Sequence, residues 1–157
     1  MADRCVGLVV VGEVVTVVDA EVPDEGVDPI TILADDTWKL QTGEKAAAYA
    51  TLHQRCADYI RENKIDSAVV KASAVPTGTA RLGLLISAEV RGVIIAAAAS
   101  ACTVKVLSKA VISRTYGKRK VDDYVKDDAF WNEHTKGGKL RKTSREAAML
   151  VVATRNT

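Results

Sequence analysis

Cys5-Val-Gly-Leu-Val-Val-Val-Gly-Glu-Val-Val-Thr-Val-Val-Asp-Ala-Glu-Val22 is a pair of valine-rich runs on either side of Gly12-Glu13. Dense β-branched residues around a short glycine-containing break predict two β-strands joined by a tight turn, the opening hairpin of a sheet. Beyond it, Pro23-Asp-Glu-Gly-Val-Asp-Pro29 is an acidic stretch with two prolines and predicts a solvated connection, and Ile30-Thr-Ile-Leu33 reads as a third strand. From Thr42 the composition turns to Ala, Glu, Lys and Gln. There Tyr49, Leu52, Cys56, Tyr59 and Ile60 recur at helical spacing, so an amphipathic helix is expected to about Lys64. Ala68 to Val75 reads as a buried strand, Pro76-Thr-Gly78 as a loop, Thr79 to about Ala101 as a long apolar helix, and Val104 to Leu107 as a fifth strand. Ser108 suits the N-cap of a short helix running to Gly117. The charged stretch Lys118 to Lys142 reads as a helical turn and a mobile basic loop. Thr143-Ser-Arg-Glu146 has the form of a capping box ahead of the apolar run Ala147 to Ala153, a closing helix.

A chain of 157 residues, 48% apolar and 27% charged, suits one compact domain with a full core, expected to span 1–157. Cys5, Cys56 and Cys102 are odd in number, far apart and set in apolar segments, which points to buried thiols in a reducing compartment and so to a cytoplasmic protein. The N-terminus lacks the basic stretch and cleavage site of a secretory signal. Leu82 to Cys102 has the length of a membrane span, but Glu89 and Arg91 interrupt it and would be costly in lipid, so a buried core helix is expected. The net charge of +2 is unevenly spread: from Thr103 onward there are 13 Lys and Arg against 6 Asp and Glu, leaving 9 against 14 for the rest. The C-terminal third is thus the basic part, the sign of charge that suits a polyanionic partner.

The order hairpin, strand, helix, strand, helix, strand, helix matches the RNase H-like fold. That is an α/β mixed sheet, with strands one to three antiparallel, strands four and five parallel, and helices on both faces. Within it the chain resembles the RuvC type of RNase H-like domain, through Gly7-Leu-Val-Val-Val-Gly12, Asp66-Ser-Ala-Val-Val-Lys71, the helix beginning near Arg81-Leu-Gly, and Glu146-Ala-Ala-Met-Leu-Val-Val-Ala153. More closely, it is similar to a family of small, uncharacterised bacterial proteins on that fold. The resemblance implies carboxylates on strand one, strand four and the final helix that hold two divalent ions for phosphodiester hydrolysis. Carried over residue by residue, those positions fall on Val9, Lys71, Thr143 and Glu146. Three of the four lack a carboxylate, and an ammonium among them repels the hard cation such chemistry needs. The resemblance therefore implies a pseudo-nuclease with no catalytic residue, metal or cofactor, and Glu146 is expected to serve the capping box.

Displaced acids are sought among Glu13, Asp19, Glu21, Asp35 and Asp36, each of which reads more simply as a solvated turn or edge residue. With the topology above, Lys71, Arg81, Lys109 and Arg114 converge on one rim at the carboxyl ends of the strands, where open α/β sheets bind ligands. Lys118, Arg119 and Lys120 add one cluster, and Lys139, Arg141, Lys142 and Arg145 add another that feeds a helix N-terminus. Such residues contact phosphates without sequence preference, and Phe130 and Trp131 read either as stacking platforms or as packing anchors. His53 and His134 have no nucleophile at suggestive spacing, and Thr77-Gly-Thr79 reads as a helix cap rather than a phosphate loop. The leading expectation is a catalytically inactive domain that binds DNA or RNA, structured or branched. One alternative is a homodimeric or higher scaffold packed through the apolar helix Leu82 to Ala101, and another is a divergent metal-dependent nuclease with relocated acids.

Overall fold

The computed structural model describes residues 2–24, 26, 28–74, 78–79, 81–116, 119–138 and 140–156. Strands β1 (Asp3–Val11), β2 (Val14–Val22) and β3 (Ile30–Lys39) form an antiparallel meander. Strand β4 (Ser67–Lys71) adds parallel to β1, and β5 (Thr103–Leu107) adds parallel to β4. A sixth strand, β6 (Thr135–Gly137), adds parallel to β3, so the sheet reads β5-β4-β1-β2-β3-β6. Helices α1 (Lys45–Glu62) and α2 (Leu82–Ala99) cover one face. The other carries α3 (Lys109–Tyr116), α4 (Val121–Val125), α5 (Asp128–His134) and α6 (Arg145–Ala153).

Strand periodicity sorts the valines between these layers. On β1, Val6, Leu8 and Val10 face α1 and α2, whereas Cys5 and Val9 face α6. Gly7 lies between the latter two, and a Cβ there would sit 2.1 Å from the carbonyl oxygen of Ala147. Its missing side chain lets α6 lie almost on the backbone of β1. Every residue of α6 from Ala147 to Ala153 is buried. At the hairpin turn Gly12 takes φ of 58°, and its N–H donates to Ser87 Oγ of α2 at 2.6 Å.

The third strand is longer than its sequence suggests. A register shift opposite Asp19 and Ala20 leaves Leu33 as an extra residue, 44% exposed. This bulge reverses the alternation, so Trp38 is buried against Val15 and Val17 while Asp35 comes to the α6 face. Asp35 and Asp36 therefore lie within β3 rather than after it. Strand β4 is shorter than expected and ends at Lys71, after which the N–H of Ala72 bonds Leu107 O. Val75, Pro76 and Thr77 lie outside the described residues.

Helix α2 departs from the expected core helix. Its buried residues, Ser87, Val90, Ile94, Ala97 and Ala98, form one stripe, and only 33% of its length is buried. By length and composition alone this helix could cross a membrane; in the fold its buried stripe packs on α1, β1 and β5. Ser108 caps α3 as anticipated, its Oγ accepting from the N–H of Val111 at 3.2 Å. Between 119 and 138, where a helical turn and a loop were expected, the described residues form α4, α5 and β6, because Val121, Tyr124 and Trp131 reach the core. Trp131 is 2% exposed and donates from Nε1 to Tyr124 O at 2.9 Å, so it is a packing anchor and not a platform for bases. All three cysteines are free, and burial pushes the Cys5 thiol up to about 11 and the Cys56 thiol up to about 12.

Candidate nucleic-acid interface

The close approach of α6 to Gly7 carries the first turn of that helix across the carboxyl ends of β1 and β4. Lys71 shares the α6-facing side of β4 with Val69, and its Nζ makes an ion pair with Glu146 Oε1. The two side chains are 22% and 25% exposed, so this pair is half sheltered from solvent. Val9, 7% exposed, sits on the same face of β1. The anticipated capping box does not form. Lys142–Ser144 is a 3-10 turn, Ser144 Oγ donates to Asp35 Oδ1 at 2.5 Å, and the Glu146 carboxylate turns to Lys71 instead of the backbone. A covalently tethered cation thus holds the Glu146 carboxylate at the carboxyl end of β4.

Two of the acids considered as replacements, Asp19 and Asp35, are engaged elsewhere. Asp19 is not a solvated edge residue: it is fully buried on the opposite face, where it accepts from Arg4 Nε and Nη2 at 3.0 and 2.7 Å and from Tyr59 Oη at 2.7 Å. Burial foremost, then the hydrogen bond to Asp19, drives the Tyr59 phenol above its ordinary value, so it stays a donor. Asp35 accepts from the backbone N–H of Arg141 at 2.9 Å, from its Nη2 at 2.7 Å and from Ser144. Burial by itself would raise the Asp35 pKa, but these hydrogen bonds outweigh it and hold the carboxyl below its usual range. Asp36 accepts from the N–H of Thr37, and Glu13 and Glu21 are exposed. Among the described residues no group of three or more His, Cys, Asp or Glu is placed to hold a metal ion.

The basic residues divide by partner. Lys109 pairs with Asp122 at 3.1 Å, and Arg119 pairs with Asp127 at 2.9 Å while lying 4.3 Å from the Tyr124 ring centre. Arg141 is tied to Asp35 and Thr37, and Lys142 approaches Asp128 at 4.0 Å. Arg145 is withdrawn from the surface; its side chain is 9% exposed and bonds Asp128 and Val125 O, which makes it a brace between α4, α5 and α6. Arg81, Arg114 and Lys120 are exposed, and their side chains make no ion pair among the described residues, though the backbone N–H of Lys120 donates to Asp123 at 3.3 Å. Lys118 and Lys139 lie outside the described residues. β4 and β5 end side by side at Lys71 and Leu107, so α3, which Lys109 opens, begins at the same edge of the sheet as Lys71. Arg81 precedes α2, whose first turn lines the same cleft as Lys71.

Reading the sequence took Arg91 only as a charge that argues against a membrane span. It flanks the buried stripe Ser87, Val90 and Ile94, and its guanidinium reaches Val10 O at 2.9 Å and Ser73 Oγ at 2.6 Å, at the same carboxyl edge as Lys71. A lone arginine beside the buried stripe of an apolar helix was the available signal.

No protein-family model matches the chain, and no curated protein matches its sequence. Solved structures do match. The RuvC structure from Thermus thermophilus aligns with a TM-score of 0.69 at 13% identity, covering 96% of this chain and 92% of that one. The same protein in complex with a Holliday junction substrate aligns with a TM-score of 0.69 at 14% identity, over 96% and 91% of the two chains. The yeast mitochondrial Holliday junction resolvase aligns with a TM-score of 0.69 at 10% identity, over 98% of this chain and 79% of that one. The fold is therefore the RuvC type of RNase H-like fold.

Proposed function

We propose that this chain is a catalytically inactive RuvC-like domain, a single cytoplasmic unit that binds structured or branched DNA or RNA without a metal ion. The observation that carries the reading is the Lys71–Glu146 ion pair at the carboxyl ends of the strands, with Val9 beside it. The ammonium there neutralises the Glu146 carboxylate, which is then not offered to a divalent ion. The exposed Arg81, Arg114 and Lys120 supply positive charge for phosphates, and a solved structure of the same fold has been seen with a Holliday junction substrate. Relocated-acid catalysis is disfavoured because Asp19 and Asp35 are consumed by Arg4, Tyr59, Arg141 and Ser144. The test is fluorescence anisotropy with a four-way junction: Lys71→Glu and an Arg81/Lys120 double alanine variant each weaken binding several-fold at low salt. Unchanged affinity in both counts against the reading.

One observation favours a second reading, a homo-oligomeric scaffold. The outward side of α2 exposes Leu82 at 71% and Leu85 at 55%, beside Gly92 and Ala96 that would admit a neighbouring helix. Light scattering that finds a monomer at high micromolar concentration removes it.

A further inference from the structure

Among the described residues the guanidinium of Arg91 has no counter-ion. Ser73 Oγ and Val10 O, both neutral acceptors, take one N–H from each terminal nitrogen, and Nε is buried with no partner. Glu89, two positions away, is held by Lys45 at 2.7 Å and by Tyr49 at 2.6 Å, and Glu146 belongs to Lys71. The undescribed residues that follow Ser73, at 75–77 and 80, are Val, Pro, Thr and Ala, none of which carries charge. A partly buried cation among neutral groups is costly to hold, and burial lowers its pKa with nothing to offset it. Each terminal nitrogen keeps a second N–H to offer a phosphate oxygen.

Arg91, Ser73 and Lys71 all line one cleft of about 330 Å³. The same lining carries apolar surface open to solvent: Val11 is 69% exposed, Leu84 46% and Leu85 55%. A cation and a hydroxyl in one cleft with exposed aliphatic surface suit a nucleotide, an anion joined to a flat, weakly polar ring. We infer that this cleft takes one unpaired nucleotide of a nucleic-acid ligand, its phosphate on Arg91 and Ser73 and its base or sugar against Val11, Leu84 and Leu85. The inference rests on the nucleic-acid reading above and adds a strand-end subsite to it. Unpaired nucleotides occur at junctions and single-stranded ends, so the cleft would favour these over continuous duplex.

The test uses the full chain with 5′-labelled oligo(dT), read by anisotropy at two salt concentrations, together with thermal melts in inorganic phosphate and in dTMP. Leu84→Glu places a carboxylate on the exposed rim without removing core packing and is expected to weaken oligo(dT) roughly tenfold at an unchanged melting temperature. Arg91→Gln is expected to lower the logarithmic salt slope by about 0.7, the value of one single-strand phosphate contact. If Arg91→Gln does not fold, Leu84→Glu alone decides. dTMP should raise the parent's melting temperature more than phosphate does. Equal effects of dTMP and phosphate, or variants that bind oligo(dT) like the parent, overturn the nucleotide subsite while the broader function stands. A parent that binds no oligonucleotide refutes that function and the subsite with it.

Discussion

Gly7→Ala is the substitution the fold should tolerate least. An added Cβ would stand 2.1 Å from the oxygen of Ala147, 3.0 Å from its carbonyl carbon and 3.2 Å from Val151 Cγ2. The obstacle is helix backbone, which has no rotamer to change, so α6 must withdraw by roughly 1.2 Å to restore a C···O separation of about 3.3 Å. Overpacking costs about 1–3 kcal/mol, and the wholly buried surface of α6 puts this case near 3 kcal/mol. With a urea slope of about 1.5–2 kcal/mol/M for a domain of this size, the unfolding midpoint should fall by roughly 1.5–2 M. Trp38 and Trp131 are both buried, on opposite faces of the sheet, so their fluorescence reports both layers in one urea titration. A midpoint within about 0.3 M of the parent, with an unchanged slope, would refute the claim that close contact between β1 and α6 positions Glu146 over Lys71.

Four other outcomes follow from the same geometry. In a double-mutant cycle of Lys71→Met and Glu146→Gln, urea unfolding should give a coupling of about 1 kcal/mol, since each partner is only a quarter exposed; additivity would mean the pair is incidental. Asp19→Ala strands Arg4 beside a buried gap and should cost about 3 kcal/mol or more in the same assay. Asp35 is held below its ordinary pKa, so its contribution is fully present above the unfolded value near about 4 and is lost as pH falls through the folded value. The stability gap between the parent and Asp35→Asn, measured by urea titration, should therefore be constant above about pH 5 and close in acid. Finally, Val9→Asp combined with Lys71→Glu places two new carboxylates near Glu146, and calorimetry should then register Mg²⁺ binding that the parent lacks.

The hairpin and α6 were legible because valine-rich runs, a glycine break and an apolar run act locally, and the arrangement of the first five strands followed from an order of elements that matches the RNase H-like fold. The bulge at Leu33 was not, since Asp35 and Asp36 argue against a strand unless their partners, Arg141 and the sheet register, are known. Strand β6 was hidden for a similar reason: three residues, Thr-Lys-Gly, carry no periodicity and are recruited by the free edge of β3. At the site, position alone placed Lys71 and Glu146 together on the resemblance, but their ion pair was obscured by a local motif that promised a capping box. Local sequence favoured the cap, and the tertiary approach through Gly7 decided otherwise. The basic clusters were visible as charge, yet their acidic partners Asp122, Asp127 and Asp128 lie several residues away, and only the folded chain distinguishes a tied cation from an exposed one.

The most direct test of metal-independent binding is anisotropy of the parent protein against single-stranded, duplex and four-way-junction oligonucleotides. It is run at two salt concentrations, with Mg²⁺ or with chelator, and the probes are checked afterwards on a denaturing gel. The account predicts binding that weakens steeply with salt, is indifferent to Mg²⁺ and leaves every probe intact. Cleavage in Mg²⁺, or affinity that vanishes with chelator, would contradict it.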